Sequence, residues 1–353
     1  MTELKRMRGS WWGRSLVVAM LAAGLALLSG QAQASVAVLL EQPYGSLALT
    51  NPTGHSAVYL DHVCADGPTK LRLCQPGEMG VVISRYDGIG TYDWIAMPLI
   101  PYLYAVERVE DIPVTMDRPD EEAIRDAYRR AHLESLAPDR ADGSAPEGNW
   151  YELAGSAYDR TIYGFQVKTT MEQDEALIGL LNDRRNKERY NAFFVNCADF
   201  ARTTINRFYP HAIRRNFIAD LGMTTPKSVA RGLSHFSEKH PEAGLVTFVI
   251  PQVKGDLPRS HAVTGISEGL LKRYVVPMAI LSPTTAAVTL AAYIGQGRFA
   301  MPKNAPVLAL HDAPDPLDSA MEASPSGAEF PALASGGGVH AAMASTGMMF
   351  AGH

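Results

Sequence analysis

Two side chains in this sequence have the type and setting needed for covalent chemistry. Cys197 lies in Phe193-Phe194-Val195-Asn196-Cys197-Ala198-Asp199-Phe200, where an apolar run gives way to a helical pattern. A thiol at a helix N-terminus feels the positive end of the helix dipole, which favours the thiolate. His55 lies in Gly54-His55-Ser56-Ala57-Val58-Tyr59-Leu60, at the mouth of a strand-like run. A histidine that can take a proton from a cysteine is the minimum equipment for covalent acyl transfer. The backbone N–H of Cys197, unpaired at a helix start, is a donor for the developing oxyanion.

The two residues are 142 positions apart, so a sheet has to bring them together. Residues 35–40, 56–60 and 80–84 read as strands, and 161–169, 190–195 and 245–253 as further ones, the 190–195 strand buried. Residues 120–136 predict a helix capped by Asp120, with Ile124, Ala127, Tyr128 and Ala131 on one face. Residues 170–186 predict another, with Thr170 and Gln173 as a capping box. Residues 197–208 carry an inner stripe of Phe200, Ala201, Thr204, Ile205 and Phe208. Thr225-Pro226 opens a helix to about residue 240. The apolar run 94–106 is either strand or the wall of a groove, with Trp94, Tyr102 and Tyr104 as candidate lining or core.

Residues 1–34 are expected to be a secretory signal peptide. Lys5, Arg6, Arg8 and Arg14 form its basic start, 16–28 its apolar centre, and cleavage is expected after Ala34. Removing it takes four basic residues and one acid (Glu3) from 32 Lys+Arg and 37 Asp+Glu. That leaves 28 against 36, a net charge of −8. An acidic chain without a long basic tract gives no support to a nucleic-acid partner.

Export also bears on the cysteines, of which there are three. In an oxidising compartment thiols tend to pair. Cys64 and Cys74 lie in a short polar loop, and closing it is worth about 3 kcal/mol in the chain-entropy model. Cys197 is left over, as a buried inert thiol or a reactive one. His62 with His55 would make half a zinc site, but no third ligand stands at metal spacing. His261 is a backup base.

Residues 274–297 carry no charge over 24 positions, with Val275 and Ile294 near the ends. That length either spans a bilayer or packs on the domain, and both readings stay open. Residues 299–353 lack periodicity and are expected to be disordered.

The order of a histidine in a strand followed by Asn-Cys opening a helix resembles the circularly permuted branch of the NlpC-type papain-like superfamily. The lecithin:retinol acyltransferase-like proteins belong to this branch. The matching segments are 54–60 and 196–200, and the implied domain is 35–255. The resemblance implies an α+β papain-like fold, an antiparallel sheet with the nucleophile helix packed on it. It implies Cys197 as nucleophile, His55 as base, and a third polar residue near the end of the next strand. Ser84 is the best positional match. It is a weaker orienter than a carboxylate, amide or second histidine, and Glu78 and Asp87 are rivals. No cofactor or metal is called for. The expected activity is an exported thiol hydrolase of an amide or related acyl bond in the periplasm or cell envelope, with association with the membrane left open. Its first candidate substrate is the peptide of peptidoglycan. The alternatives are lipid acyl hydrolysis or transfer, and a non-catalytic envelope-binding module.

Overall fold

The protein is described from a computed structural model covering residues 33–45, 52–308 and 310. Its strands are β1 (Gln33–Glu41), β2 (His55–Leu60), β3 (Val63–Ala65), β4 (Leu71–Leu73), β5 (Val81–Ser84), β6 (Ile95–Pro98), β7 (Thr115–Met116), β8 (Ile162–Thr170), β9 (Val246–Ile250) and β10 (Lys254–Gly255). Its helices are α1 (Leu99–Tyr104), α2 (Arg118–His132), α3 (Ser156–Asp159), α4 (Met171–Asp183), α5 (Cys197–Phe208), α6 (Pro226–Lys239), α7 (Ile266–Leu281) and α8 (Pro283–Ala292).

Strand β1 is apolar on both sides, so both faces of its sheet have to be covered. The sheet order is β6-β5-β2-β1-β8-β9, with every neighbouring pair antiparallel. Val36, Val38 and Leu40 of β1 and Val58 and Leu60 of β2 pack under α4, α5 and α6. Ala37, Leu39, Ala57 and Tyr59 point the other way, against α1, Tyr158 and Phe248. The fold is therefore α+β, with a six-stranded antiparallel sheet and the Cys197 helix on one face. The predicted inner stripe of α5 is buried throughout, and α4 and α6 open on complete capping boxes. A disulfide joins Cys64 of β3 to Cys74 just past β4, closing the β3–β4 hairpin.

Several expectations are corrected. The helix predicted over 120–136 is α2, capped by Asp117, whose side chain accepts from the Asp120 N–H. The first turn starts one residue before Pro119, which a helix tolerates there. The run 94–106 is neither one strand nor a groove wall: it divides into β6 and α1. Tyr102 and Tyr104 are core residues, and the buried Trp94 borders a cavity away from His55. Residues 190–195 are not a buried strand. Asn191 pairs with Val195 across a tight turn, and the Asn191 side chain accepts from the Phe193 and Phe194 N–H groups. That local competition holds the backbone out of a ladder, and Phe193 and Phe194 are 58% and 55% exposed.

Near the C-terminal end, residues 299–308 are ordered against the domain. Phe299 and Met301 pack on the α5 side, Leu308 is buried, and Val307 bridges Val249. The rest of the predicted tail, apart from Leu310, lies outside the described residues. So does the signal peptide up to residue 32, while Gln33 and Ala34, on the expected leader side of the cut, begin β1 and pair with Thr170 and Thr169. Among the described residues no helix is long and apolar enough to cross a membrane. Nor does 274–297 pack on the domain as a covered segment: α8 has no buried residue.

Candidate active site

The β1–β2 register places the start of one strand beside the end of the other, pairing His55 with Glu41. Gly54 makes the approach possible. Its φ is +73°, and a Cβ there would stand 2.1 Å from the Glu41 carbonyl oxygen. Across β2, Val58 pairs with Ile83, which sets Ser84 level with Ala57. His55, two residues further along, then shares its face and lies diagonally within reach. The Ser84 hydroxyl and His55 Nε2 are 2.8 Å apart.

Helix α5 brings the thiol. Asn196 is its N-cap: the side-chain oxygen accepts from the Asp199 N–H at 2.9 Å, and the amide donates to the Ala192 and Thr224 carbonyls. Arg85, next to Ser84, forks onto Asp93 and donates to the Asn196 carbonyl at 3.3 Å. One buried guanidinium thus ties the end of β5 to the residue before the thiol. Cys197, 9% exposed, is hydrogen-bonded to His55 and receives the backbone N–H groups of Ser56 and Ala198. The structure therefore brings together Cys197, His55 and Ser84.

The tautomer follows from counting protons. Ser84 Oγ has one hydrogen, which it donates to the Ser56 carbonyl at 2.8 Å, an acceptor that offers no proton in return. Ser84 Oγ must then accept from His55 Nε2–H. That leaves Nδ1 to face the sulfur, with a lone pair in the neutral ring. The imidazole also stacks on Tyr86, ring centroids 5.1 Å apart.

Electrostatics favour the charged pair. Burial pushes the His55 pKa down. The Cys197 charge and hydrogen bond, followed by Glu41 and Glu152, outweigh it and raise the value to about 9. Burial likewise pushes the Cys197 thiol up, but the His55 charge and hydrogen bond, with the Ser56 and Ala198 N–H groups, leave it below its ordinary value. A thiolate facing an imidazolium is the state these shifts describe. Glu41 is fixed by Tyr102 Oη and by Arg160, whose other arm reaches Glu152.

The other candidates lie elsewhere. Glu78 is spent on Arg72 and the Gln75 N–H at the exposed disulfide hairpin. Asp87 borders the site, but no bond to His55 holds it there. His62 sits past the far end of β2, paired with Asp61 at 2.8 Å. Cys64, Cys74 and Glu78 come within ligand distance of one another, but the two sulfurs are bonded together. His261 is exposed and bonds Pro43 through its backbone.

A cavity of about 180 Å³ opens onto His55 and Cys197. Its wall includes Tyr44, Tyr190, Asp87 and Glu152 with Arg85 and Arg160, so it is charged and aromatic rather than aliphatic. Sequence reasoning missed Glu41, Arg160 and Tyr86. The one available signal was a charged residue closing an otherwise apolar strand at Leu40-Glu41.

No protein-family model matches the chain, and neither a curated protein nor a solved structure shows significant similarity to it.

Ser84 offers a direct check on the deduced tautomer. In Ser84→Ala the imidazole loses its Nε2 acceptor, and a hydrogen bond to a charged ring is worth about 1.5–3 kcal/mol. The expected result is a fall of about 10- to 100-fold in Cys197 alkylation at neutral pH, with the pH inflection moved upward. An unchanged pH profile rules out Ser84 as the orienter.

Proposed function

We propose that the protein is a thiol hydrolase of amide bonds, with a papain-like arrangement of Cys197 as nucleophile, His55 as proton carrier and Ser84 as its orienter. One observation carries the reading: a helix-start thiol and an imidazole share a hydrogen bond while a third residue fixes the ring's tautomer. The Cys197 sulfur attacks the substrate carbonyl carbon, and the carbonyl π electrons move to oxygen. The oxyanion meets the Cys197 N–H at the start of α5, which has no intrahelical acceptor. As it collapses, the carbon–nitrogen bond breaks and the His55 imidazolium protonates the leaving amine. The neutral imidazole then takes a proton from water, whose oxygen attacks the thioester. A second tetrahedral species expels the sulfur and releases the acid.

The charged cavity wall favours a peptide with ionised groups over an aliphatic acyl chain. An exported chain meets such a substrate in the peptide of peptidoglycan. Purified sacculi incubated with the protein should release muropeptide fragments, each turnover exposing one new amine and one new carboxylate. Release of fatty acid from phospholipid vesicles instead would select the lipid acyl reading, which the exposed apolar helices α7 and α8 favour. Neither product, together with a sluggish Cys197, would leave a binding module.

A further inference from the structure

Helices α7 and α8 pack against each other as an antiparallel hairpin. The base is held firmly. Ile266 N–H donates to Asp220 at 2.9 Å, Ser267 N–H to the Ala219 carbonyl at 3.0 Å, and Asn216 to the Gln296 carbonyl at 3.0 Å. Lys227 and Lys272 both pair with Glu268. Beyond that base the hairpin projects. Ser267 and Glu268 are the only buried residues of α7, and α8 has none.

The projecting part is apolar on all sides. Val276 is 65% exposed, Ile280 74%, Leu281 83% and Val288 63%. A helix with a core to cover shows one apolar stripe, and one that is apolar all round belongs in a protein interior or in lipid. Several polar groups at the bend are satisfied internally. The Ser282 hydroxyl bonds Thr285, the Thr289 hydroxyl donates to the Thr285 carbonyl, and the Ser282 and Ala286 N–H groups donate to Met278 and Ser282. Hydrocarbon demands that economy and water does not.

Length decides between spanning and resting. Helix α8 has ten residues, about 15 Å at 1.5 Å per residue, half of a hydrocarbon core about 30 Å thick. Tyr274, Lys272 and Arg273 sit where the apolar part begins, and Tyr293 and Arg298 where it ends. Aromatic rings and cations at that level suit the headgroup layer, and the cations complement anionic lipid. Phe217, Ile218 and Leu221, exposed on the loop bonded to the hairpin base, form a second apolar contact beside it.

We propose that the α7–α8 hairpin seats the protein on an anionic bilayer, entering one leaflet to about its midplane with Lys272, Arg273 and Arg298 at the phosphates. This surface uses none of the hydrolytic residues, so it stands apart from the proposed activity. The same loop reaches the nucleophile helix: Arg215 donates to the Gly222 and Phe194 carbonyls and pairs with Asp199 in the first turn of α5. Seating the hairpin therefore holds the reactive helix at a set position relative to the membrane surface.

The test is flotation of the full chain with phosphatidylcholine vesicles, with and without phosphatidylglycerol. The chain should float with both, more strongly with the anionic vesicles. Leu281→Asp and Val288→Asp change exposed positions, so the fold is retained. Each should weaken flotation at least about tenfold, and Lys272→Gln with Arg298→Gln should together cost about thirtyfold, on anionic vesicles only. Failure of the parent chain to float, or equal flotation of the aspartate variants, overturns the proposal. A solution dimer that the aspartate variants dissolve, without vesicle binding, assigns the face to a second copy and overturns it as well.

Discussion

Cys197→Ala is expected to lower peptide release from sacculi by about four to six orders of magnitude, the loss typical of removing a covalent nucleophile from an assembled site. The loss should appear in kcat, because the thiolate forms its new bond only along the reaction coordinate. The side chain is small and sits at the end of a helix whose inner stripe is untouched. The thermal unfolding midpoint should therefore move by no more than a few degrees. Cys197→Ser is an equally severe test: a hydroxyl at that position lacks the low pKa that the imidazolium induces in a thiol. Retention of more than about one per cent of activity in either variant would remove the hydrolase reading with Cys197 as nucleophile, since the other hydroxyl bonded to His55, that of Ser84, gives its proton to the Ser56 carbonyl.

The second large effect concerns the pH dependence of the thiol. His55 stays protonated to about 9, and Cys197 loses its proton below the ordinary thiol range. Between those limits the site holds the ion pair. Alkylation by iodoacetamide should therefore fall less steeply below about pH 8.5 than that of a free thiol, which slows about tenfold per unit. Turnover should decline above about pH 9, as the imidazolium that protonates the leaving amine is lost. In His55→Ala the cation disappears while burial remains. Both changes favour the neutral thiol, so the alkylation inflection must move upward. A loss of at least tenfold in alkylation rate at pH 7 is expected, and a loss of about 10² to 10⁴ in turnover. An inflection that stays put or moves downward contradicts the pairing.

Much of the scaffold was legible because it rests on local rules. The boundaries of α5 follow from Asn196 as cap and a stripe at helical spacing, and α4 and α6 announce themselves through Thr170 and Thr225. The proximity of His55, Ser84 and Cys197 was reachable by analogy of motif order, not by periodicity, because strand register is a long-range property. The residues around Phe193 misled for a local reason. Apolar composition predicts a buried strand, but the Asn191 side chain captures two backbone N–H groups and turns the chain outward. Residues 274–297 misled for another. Absence of charge does not distinguish one long helix from two short ones, and the break comes at Ser282-Pro283, where proline cannot continue the hydrogen-bond ladder. Arg160 and Glu41 were invisible because a buried ion pair between positions 119 apart leaves no pattern in either neighbourhood.

The pairing of β2 with its neighbours has a practical consequence for any preparation of this protein. Alternate residues of a strand face opposite sides, so a slip of β2 by one position would turn the imidazole away from Ser84 and Glu41 altogether. No half-aligned arrangement exists between those two settings. Misfolded molecules should then be inert rather than sluggish. The fraction of fast-alkylating thiol in a sample would count its correctly threaded molecules one by one.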